Sequence, residues 1–276
     1  MSGGRVRTRY DARFEALRKR AEGALIPFLM LGDPDLETSG RLLRALVEGG
    51  ADAIEVGIPF SDPIADGPTI QAAAVRALSA GARPASCLEL LARLRKEAPE
   101  VPVGILTYAN LVVRRGVERF YEEAAAAGVD SVLVADVPVK EADPFVAAAR
   151  AAGVAPVLIA PPNASEDLLK RLADRCDGYT YCVARKGVTG ADEEVRFDDV
   201  ARALIERLKR YGAPPPILGF GISKPAHVRA AIEAGAAGAV SGSAVVARAA
   251  EHAGDPAAAA RALTALVREL KAATRG

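Results

Sequence analysis

Glu48-Gly49-Gly50-Ala51-Asp52 joins the end of a helical pattern to the start of a short apolar strand. Glycine at the end of a helix permits the left-handed turn that leads the chain into the next element. The same junction recurs along the sequence, at Ala127-Gly128-Val129-Asp130, Ala152-Gly153-Val154 and Ala234-Gly235-Ala236. Helices that end in glycine and lead at once into buried strands are typical of repeated βα units, which predicts an α/β fold with a parallel sheet.

This alternation extends over the whole chain. Eight apolar runs have the length of buried strands, at 24–31, 53–57, 103–108, 131–135, 155–160, 178–183, 216–219 and 238–241. Helical patterns lie at 7–22, 37–48, 69–80, 86–97, 116–127, 142–152, 166–174, 199–211, 225–234 and 257–273, with a short segment at 244–248. We therefore expect residues 1–276 to form a single domain, a (β/α)8 TIM barrel with an extra N-terminal helix and extra helices in the βα loops. The alternative is a doubly wound open sheet, but no glycine-rich dinucleotide-binding turn follows the first strand.

Composition restricts the possible functions. Lys plus Arg total 36 against 35 for Asp plus Glu, a net charge of +1, which argues against a nucleic-acid or membrane-surface protein. Cys87, Cys176 and Cys182 lack metal or redox spacing and are expected to be free thiols in a reducing cytoplasm. No apolar run approaches the length needed to span a membrane, and the N-terminus has no signal-peptide core.

A carboxylate interrupts the second apolar run. Glu55 shares one face of that strand with Ala53 and Gly57, which leaves room beside it for a ligand. Asp66 lies in the loop just beyond, so two carboxylates in unlike surroundings become candidates for acid/base chemistry. The structural alternatives are a buried glutamate paired with arginine or backbone donors, and a loop aspartate that caps a helix.

Glycine-rich turns follow the last two strands. In barrels of this kind phosphate commonly binds at these turns, which here are Gly219-Phe220-Gly221-Ile222-Ser223 and Ser241-Gly242-Ser243. Glycine lets backbone N–H groups approach an anion, and a helix N-terminus adds a favourable dipole. The alternative is that both are tight turns with Ser223 and Ser243 as helix N-caps.

The loop after the sixth strand is polar and longer than a simple βα turn. It carries Arg185, Lys186 and Gly187-Val188-Thr189-Gly190, which suits a lid over the site. A surface loop with solvated charges is the alternative.

These motifs together resemble the tryptophan synthase α-subunit family. The most specific stretch runs from Glu55 to Gln71 and contains Pro59-Phe60-Ser61-Asp62-Pro63 and Ala65-Asp66-Gly67-Pro68. Further motifs appear in the family's order and spacing: Pro27-Phe28, Gly32-Asp33-Pro34, Tyr108-Ala109-Asn110, Ala135-Asp136-Val137-Pro138, Gly187-Val188-Thr189-Gly190, Gly219-Phe220-Gly221-Ile222-Ser223 and Ser241-Gly242-Ser243. Pro161-Pro162-Asn163, Ala184-Arg185-Lys186 and Asp192-Glu193-Glu194 depart from the commonest family forms.

The resemblance implies an assignment of site residues. Glu55 and Asp66 would be the catalytic pair. The indole part of the substrate would contact Phe28, Leu106, Leu133, Tyr181 and Phe220, and Thr189 would close the lid towards Asp66. The phosphate would be held by Gly190, Gly221, Gly242 and Ser243, whereas Pro59 and Asp62 would lie at a partner interface.

The implied reaction is retro-aldol cleavage of indole-3-glycerol phosphate to indole and D-glyceraldehyde 3-phosphate. Most aldol cleavages need a lysine Schiff base or a metal as electron sink, and the sequence predicts neither. His227 and His252 lie on helical stretches that we expect to be away from strand ends. Indole removes this need, because protonation of its C3 turns the ring into the sink. Glu55 would move the protons and Asp66 would stabilise the charge at N1.

The resemblance also implies a partner, a pyridoxal-phosphate-dependent β subunit that receives the indole in an α2β2 assembly. The cofactor would belong to that partner, and none is expected in this chain. A stand-alone indole-3-glycerol phosphate lyase and a non-catalytic phosphate-binding regulatory barrel remain alternatives. A sugar-phosphate isomerase or prenyl-phosphate synthase would fit the glycine turns but not the loop from Pro59 to Gln71.

Overall fold

Parallel strands form a barrel in the computed structural model, which describes residues 5–183, 199–219 and 221–275. Within those ranges the strands are β1 Ala24–Met30, β2 Ile54–Gly57, β3 Val103–Thr107, β4 Ser131–Val134, β5 Ala155–Val157, β6 Ile159–Ala160, β7 Thr180–Val183, β8 Pro216–Gly219 and β9 Gly238–Ser241. Every predicted strand position is occupied. The expected α/β barrel is therefore confirmed, with one predicted strand divided in two.

The division of that strand closes the barrel. The pairing order is β5-β4-β3-β2-β1-β9-β8-β7-β6, so the two ends of the sheet are consecutive in the chain. Val157 pairs with Leu133 on β4, and Ile159 pairs with Tyr181 on β7. Leu158 lies between them, and its carbonyl accepts a 3.1 Å hydrogen bond from the Tyr181 N–H. The predicted strand at 155–160 thus changes neighbours halfway along its length.

Helices surround the barrel. The described helices are α1 Arg9–Lys19, α2 Leu36–Glu48, α3 Pro68–Ser79, α4 Pro84–Glu97, α5 Ala109–Arg115, α6 Val117–Ala126, α7 Asp143–Ala151, α8 Glu166–Arg175, α9 Asp199–Arg210, α10 Pro225–Glu233, α11 Ser243–Ala250 and α12 Pro256–Ala272, with a short 3-10 turn at Val139–Glu141. The helical patterns in the sequence predicted all of these except α5 and the 3-10 turn. Gly116, whose φ is +86°, separates α5 from α6. Among the described residues, no helix is long and apolar enough to cross a membrane.

The N-terminal helix closes one end of the barrel. Tyr10, on α1, is fully buried and packs with interior residues such as Ile217 and Val240. Asp130, just before β4, accepts hydrogen bonds from the Arg9 backbone N–H at 3.3 Å and from its guanidinium at 2.9 Å. Asp130 Oδ2 also forms an ion pair with the Arg95 guanidinium, at 2.9 Å. The helix is thus held by a buried aromatic ring and by a buried carboxylate at the amino ends of the strands.

Candidate active site

A cavity of about 690 Å³, partly open to solvent, lies at the carboxyl ends of the strands. It is lined by Phe28, Glu55, Ala65, Asp66, Gly67, Ile70, Leu106, Leu133, Ala135, Ile159, Tyr181, Gly221, Ile222, Val240, Gly242 and Ser243. This set includes every described residue that the sequence analysis assigned to catalysis, to the indole pocket or to the phosphate, although the roles themselves stay predictions.

Glu55 occupies an inward position on β2. It is only 1% exposed, and its register neighbours are Phe28 on β1 and Gly104 on β3. A Cβ at position 104 would come within 2.6 Å of the Ser131 Oγ and 2.9 Å of the Tyr10 Oη. Glycine at this position therefore leaves room for two hydroxyl groups on the barrel axis below Glu55.

Tyr179 is the hydrogen-bond partner of Glu55. Its hydroxyl donates to Glu55 Oε1 at 2.8 Å. Burial raises the pKa of Glu55 from 4.5 to about 7, while the Tyr179 hydrogen bond opposes this shift and the charge of Asp66 adds to it. No cation contributes to the pKa of Glu55, so the alternative of a glutamate paired with arginine is wrong for the described residues.

Tyr10 of α1 packs below Glu55 and Tyr179. The rings of Tyr10 and Tyr179 lie 5.2 Å apart between centroids, tilted by 57°. Ser131 Oγ donates to the Tyr10 hydroxyl at 3.2 Å. The sequence analysis assigned no role to Tyr10 or Tyr179. Alternation along the strand was the available signal for Tyr179, because it lies two residues before the pocket residue Tyr181 and therefore shares its face.

Replacing Tyr179 by phenylalanine is expected to shift the pH dependence of any activity in which Glu55 acts as an acid. The hydrogen bond from the Tyr179 hydroxyl favours the ionised form of Glu55, so its removal raises the pKa of Glu55. Activity that requires protonated Glu55 should then persist to a pH higher by about one unit, with a modest loss of rate. The pH profile of kcat/KM measures this shift. A basic limb at the wild-type position would show that Tyr179 does not influence Glu55.

Asp66 faces Glu55 across the cavity from the loop after β2. Burial raises its pKa, and a hydrogen bond from the Tyr108 hydroxyl opposes that shift. The same hydroxyl accepts the Ala65 N–H at 3.2 Å, which fixes the loop against β3. Helix α3 begins after Gly67 and has no side-chain cap, so Asp66 is not a helix cap. Tyr108 appeared in the sequence analysis only within a family motif, and its contact with Asp66 was not predicted.

Apolar side chains form the walls between the two carboxylates. Phe28, Leu106, Leu133 and Tyr181 come from four different strands, and Ile159, Val240, Ile70 and Ala135 extend the apolar surface beyond the set that was predicted. A Cβ at Gly219 would lie 2.1 Å from the Tyr181 hydroxyl, so glycine is required there for this ring position. The walls are therefore mostly apolar.

Backbone groups dominate the opposite end of the cavity. Gly221, Ile222, Gly242 and Ser243 line it, and α11 begins immediately after Gly242. The first N–H groups of a helix have no intrahelical acceptor and favour an anion. The alternative N-caps are wrong, because Lys224 precedes α10 and Gly242 precedes α11, and neither helix has a side-chain cap.

His227 lies closer to this end than the sequence indicated. Its Nδ1 is 2.9 Å from the carbonyl oxygen of Gly221, which lines the cavity. The expectation that both histidines lie away from strand ends is therefore wrong for His227. Helical spacing placed it correctly on α10, but the fold of the preceding turn, which brings Gly221 back to the ring, has no local signal.

The two predicted interface residues lie outside the cavity. Pro59 is buried and contributes to a separate surface groove with Phe60 and Leu111, whereas Asp62 is exposed. Between Asp62 and Asp66, the Ile64 side chain is 78% exposed. A partner role for this loop stays a prediction.

Several predicted positions lie outside the described residues. These are Arg185, Lys186, Thr189, Gly190, the acidic run Asp192-Glu193-Glu194, and Phe220. The expected lid at Gly187-Val188-Thr189-Gly190 belongs to the same group.

Comparison with known proteins relates this site to one family. The family model described as tryptophan synthase alpha chain matches residues 14–275. The tryptophan synthase alpha chain of Escherichia coli is 53% identical over 267 residues, covering 97% of this chain and 99% of the relative. The Cronobacter sakazakii tryptophan synthase alpha chain is 54% identical, with 96% and 98% covered.

Solved structures agree with the sequence comparison. A chain of Mycobacterium tuberculosis tryptophan synthase superimposes with a TM-score of 0.87 at 31% identity, covering 98% of this chain and 99% of that one. A chain of the Pyrococcus furiosus tryptophan synthase complex gives 0.79 at 38% identity, with 90% and 98% covered. The fold of this chain is therefore shared by solved tryptophan synthase chains.

Proposed function

Because this chain belongs to the tryptophan synthase alpha chain family, we propose that it cleaves indole-3-glycerol phosphate to indole and D-glyceraldehyde 3-phosphate, as a carbon–carbon lyase. The observation that carries the proposal is the pairing of two carboxylates, Glu55 and Asp66, across one apolar cavity, each with a raised pKa. The apolar walls suit the indole ring, and the glycine turns with the start of α11 suit the phosphate.

The first step is proton transfer from Glu55 to C3 of the indole ring. With a pKa of about 7, Glu55 is partly protonated near neutral pH and can act as the acid. Protonation at C3 places positive charge on N1 and interrupts the aromatic system. Asp66, on the loop above the cavity, accepts a hydrogen bond from N1–H and stabilises that charge.

The second step uses Glu55 as a base. The ionised carboxylate takes the proton from the side-chain hydroxyl on the carbon attached to C3. The O–H electron pair forms the aldehyde C=O, and the carbon–carbon bond pair returns to the ring and neutralises N1. The proton first delivered by Glu55 remains on C3 of indole, and the hydroxyl proton restores the acid form of Glu55, so one residue completes the cycle.

We further propose that the chain works in the cytoplasm with a tryptophan synthase β subunit in an α2β2 assembly, which receives the indole and carries the pyridoxal phosphate. The groove at Pro59 and the exposed Ile64 supply surface beside the cavity for such a partner. The three cysteines are free thiols, which suits a reducing compartment. Indole would then pass directly to the enzyme that consumes it.

The test is turnover of indole-3-glycerol phosphate by the purified chain, with and without a β subunit. Slow indole release that rises strongly when β is added is the expected result. Fast release that β does not change would indicate a stand-alone lyase. An absence of release under both conditions would contradict the lyase proposal and favour a non-catalytic phosphate-binding barrel.

A further inference from the structure

His227 contacts the turn that follows β8. It is half-buried on the first turn of α10, and its Nδ1 lies 2.9 Å from the Gly221 carbonyl oxygen. The same nitrogen lies 3.3 Å from both the backbone N and the Oγ of Ser223. One ring nitrogen therefore contacts both Gly221 and Ser223 in this turn, and Gly221 lines the cavity.

The shortest of these contacts decides which form of the ring is present. A carbonyl oxygen can only accept, so a 2.9 Å contact with it is favourable only when Nδ1 carries a proton. In the other tautomer, two lone pairs would face each other at that distance. The Ser223 N–H points at the same nitrogen at 3.3 Å, a longer contact that would need Nδ1 as the acceptor. Because the carbonyl contact is the shorter of the two, we assign the proton to Nδ1, which then donates to the Gly221 carbonyl.

A second tether holds the next peptide unit. Ser241, at the end of β9, donates from Oγ to the Ile222 carbonyl at 2.8 Å in a buried position. The backbone just before the two tethered carbonyls has a conformation that favours glycine, because Gly221 has a φ of +82°. Two side chains from different elements thus fix consecutive carbonyl groups of the turn.

The orientation of the turn follows from peptide geometry. The C=O and N–H of one planar trans peptide unit point in opposite directions. When His227 holds the Gly221 carbonyl towards α10, the Ile222 N–H of the same unit points away from α10. Gly221 and Ile222 both line the cavity, at the end where α11 begins.

We propose that His227 is a positioning residue for the phosphate subsite, holding the Gly221–Ile222 peptide so that its N–H can bind the substrate phosphate. The inference rests on the proposed function, because it deepens the assignment of that end of the cavity. The imidazole does not touch the phosphate. It acts through the Gly221 carbonyl, and loss of the tether leaves the turn free to rotate its N–H away.

The test compares His227→Ala and His227→Asn with the unmodified chain. In the alanine variant, the dissociation constant of inorganic phosphate and the KM for indole-3-glycerol phosphate should rise about five- to tenfold, the usual effect of one lost hydrogen bond. The kcat should stay within about twofold, because Glu55 and Asp66 keep their positions. The asparagine amide can donate near the place of Nδ1, so His227→Asn should recover most of the phosphate affinity.

Indole binding separates positioning from general damage, because indole carries no phosphate. The dissociation constant of indole should not change in His227→Ala. His252→Ala is the matched control, since this histidine follows the far end of α11. Unchanged phosphate affinity in His227→Ala, or an equal weakening of phosphate and indole, would overturn the inference. Failure of the proposed function would instead appear as an unmodified chain that binds phosphate without cleaving indole-3-glycerol phosphate.

Discussion

Glu55→Gln should lower kcat for indole-3-glycerol phosphate cleavage by about 10⁴-fold or more, at nearly unchanged affinity for indole. Removing a general acid/base commonly costs about 10²- to 10⁴-fold, and Glu55 serves in both proton transfers. Glutamine has almost the same shape, and its carbonyl can accept the Tyr179 hydroxyl. Steady-state kinetics with the β subunit present measure the loss, and Glu118→Gln, on the first turn of α6, is the control. Near-normal turnover would remove Glu55 from the mechanism.

The same variant should be more stable than the unmodified chain above neutral pH. Burial raises the pKa of Glu55 from 4.5 to about 7, so the folded state holds its proton where the unfolded chain has lost it. The stability linked to this group is complete below pH 4.5 and is lost as pH rises to about 7. Glutamine avoids this loss, which amounts to at most about 3 kcal/mol. The melting temperatures of Glu55→Gln and of the unmodified chain should therefore differ much more at pH 8 than at pH 5.

Asp66→Asn should reduce kcat by about 10²- to 10³-fold, the usual effect of losing one charge-stabilising group at a developing charge. Asparagine can still contact Tyr108, but it offers no negative charge to N1. Because the Asp66 charge raises the pKa of Glu55, the substitution should also move the basic limb of the pH profile to lower pH.

The control for this second variant is Asp167→Asn, on the exposed first turn of α8. Both proteins are compared by kcat and by the pH dependence of kcat/KM. If Asp66→Asn matched the control in rate, charge stabilisation at N1 would have to come from another group.

Most of the barrel could be predicted from the sequence because its strands are buried on both sides. Such strands are short apolar runs, and the glycine junctions mark where each one begins. The division at Leu158 could not be predicted, since a change of pairing partner depends on the closure of the sheet. Helix α5 was missed because it follows β3 directly and ends at Gly116, with no loop of its own.

The sequence identified a site residue where a side chain is chemically unusual for its position in the fold. Glu55 is such a residue, a carboxylate inside an apolar strand, and it could be identified without a fold. Tyr10 and Tyr179 give no such signal, because tyrosine in an apolar pattern is typical of core packing. What their hydroxyl groups contact depends on elements that are far apart in sequence. His227 was missed for another reason, because its contact with Gly221 is local but depends on a turn whose fold has no sequence signal.

Helix α1 closes the barrel at the amino ends of the strands, so the two ends of the barrel differ in access to solvent. The cavity opens at the carboxyl ends of the strands, and at the amino ends the described residues close the barrel with the buried ring of Tyr10 and the ion pairs of Asp130. A seal that keeps water from reaching Glu55 from below also keeps its surroundings poorly polarisable, and this raises its pKa. Part of the burial that raises the pKa of Glu55 thus comes from the end of the barrel that faces away from the cavity mouth.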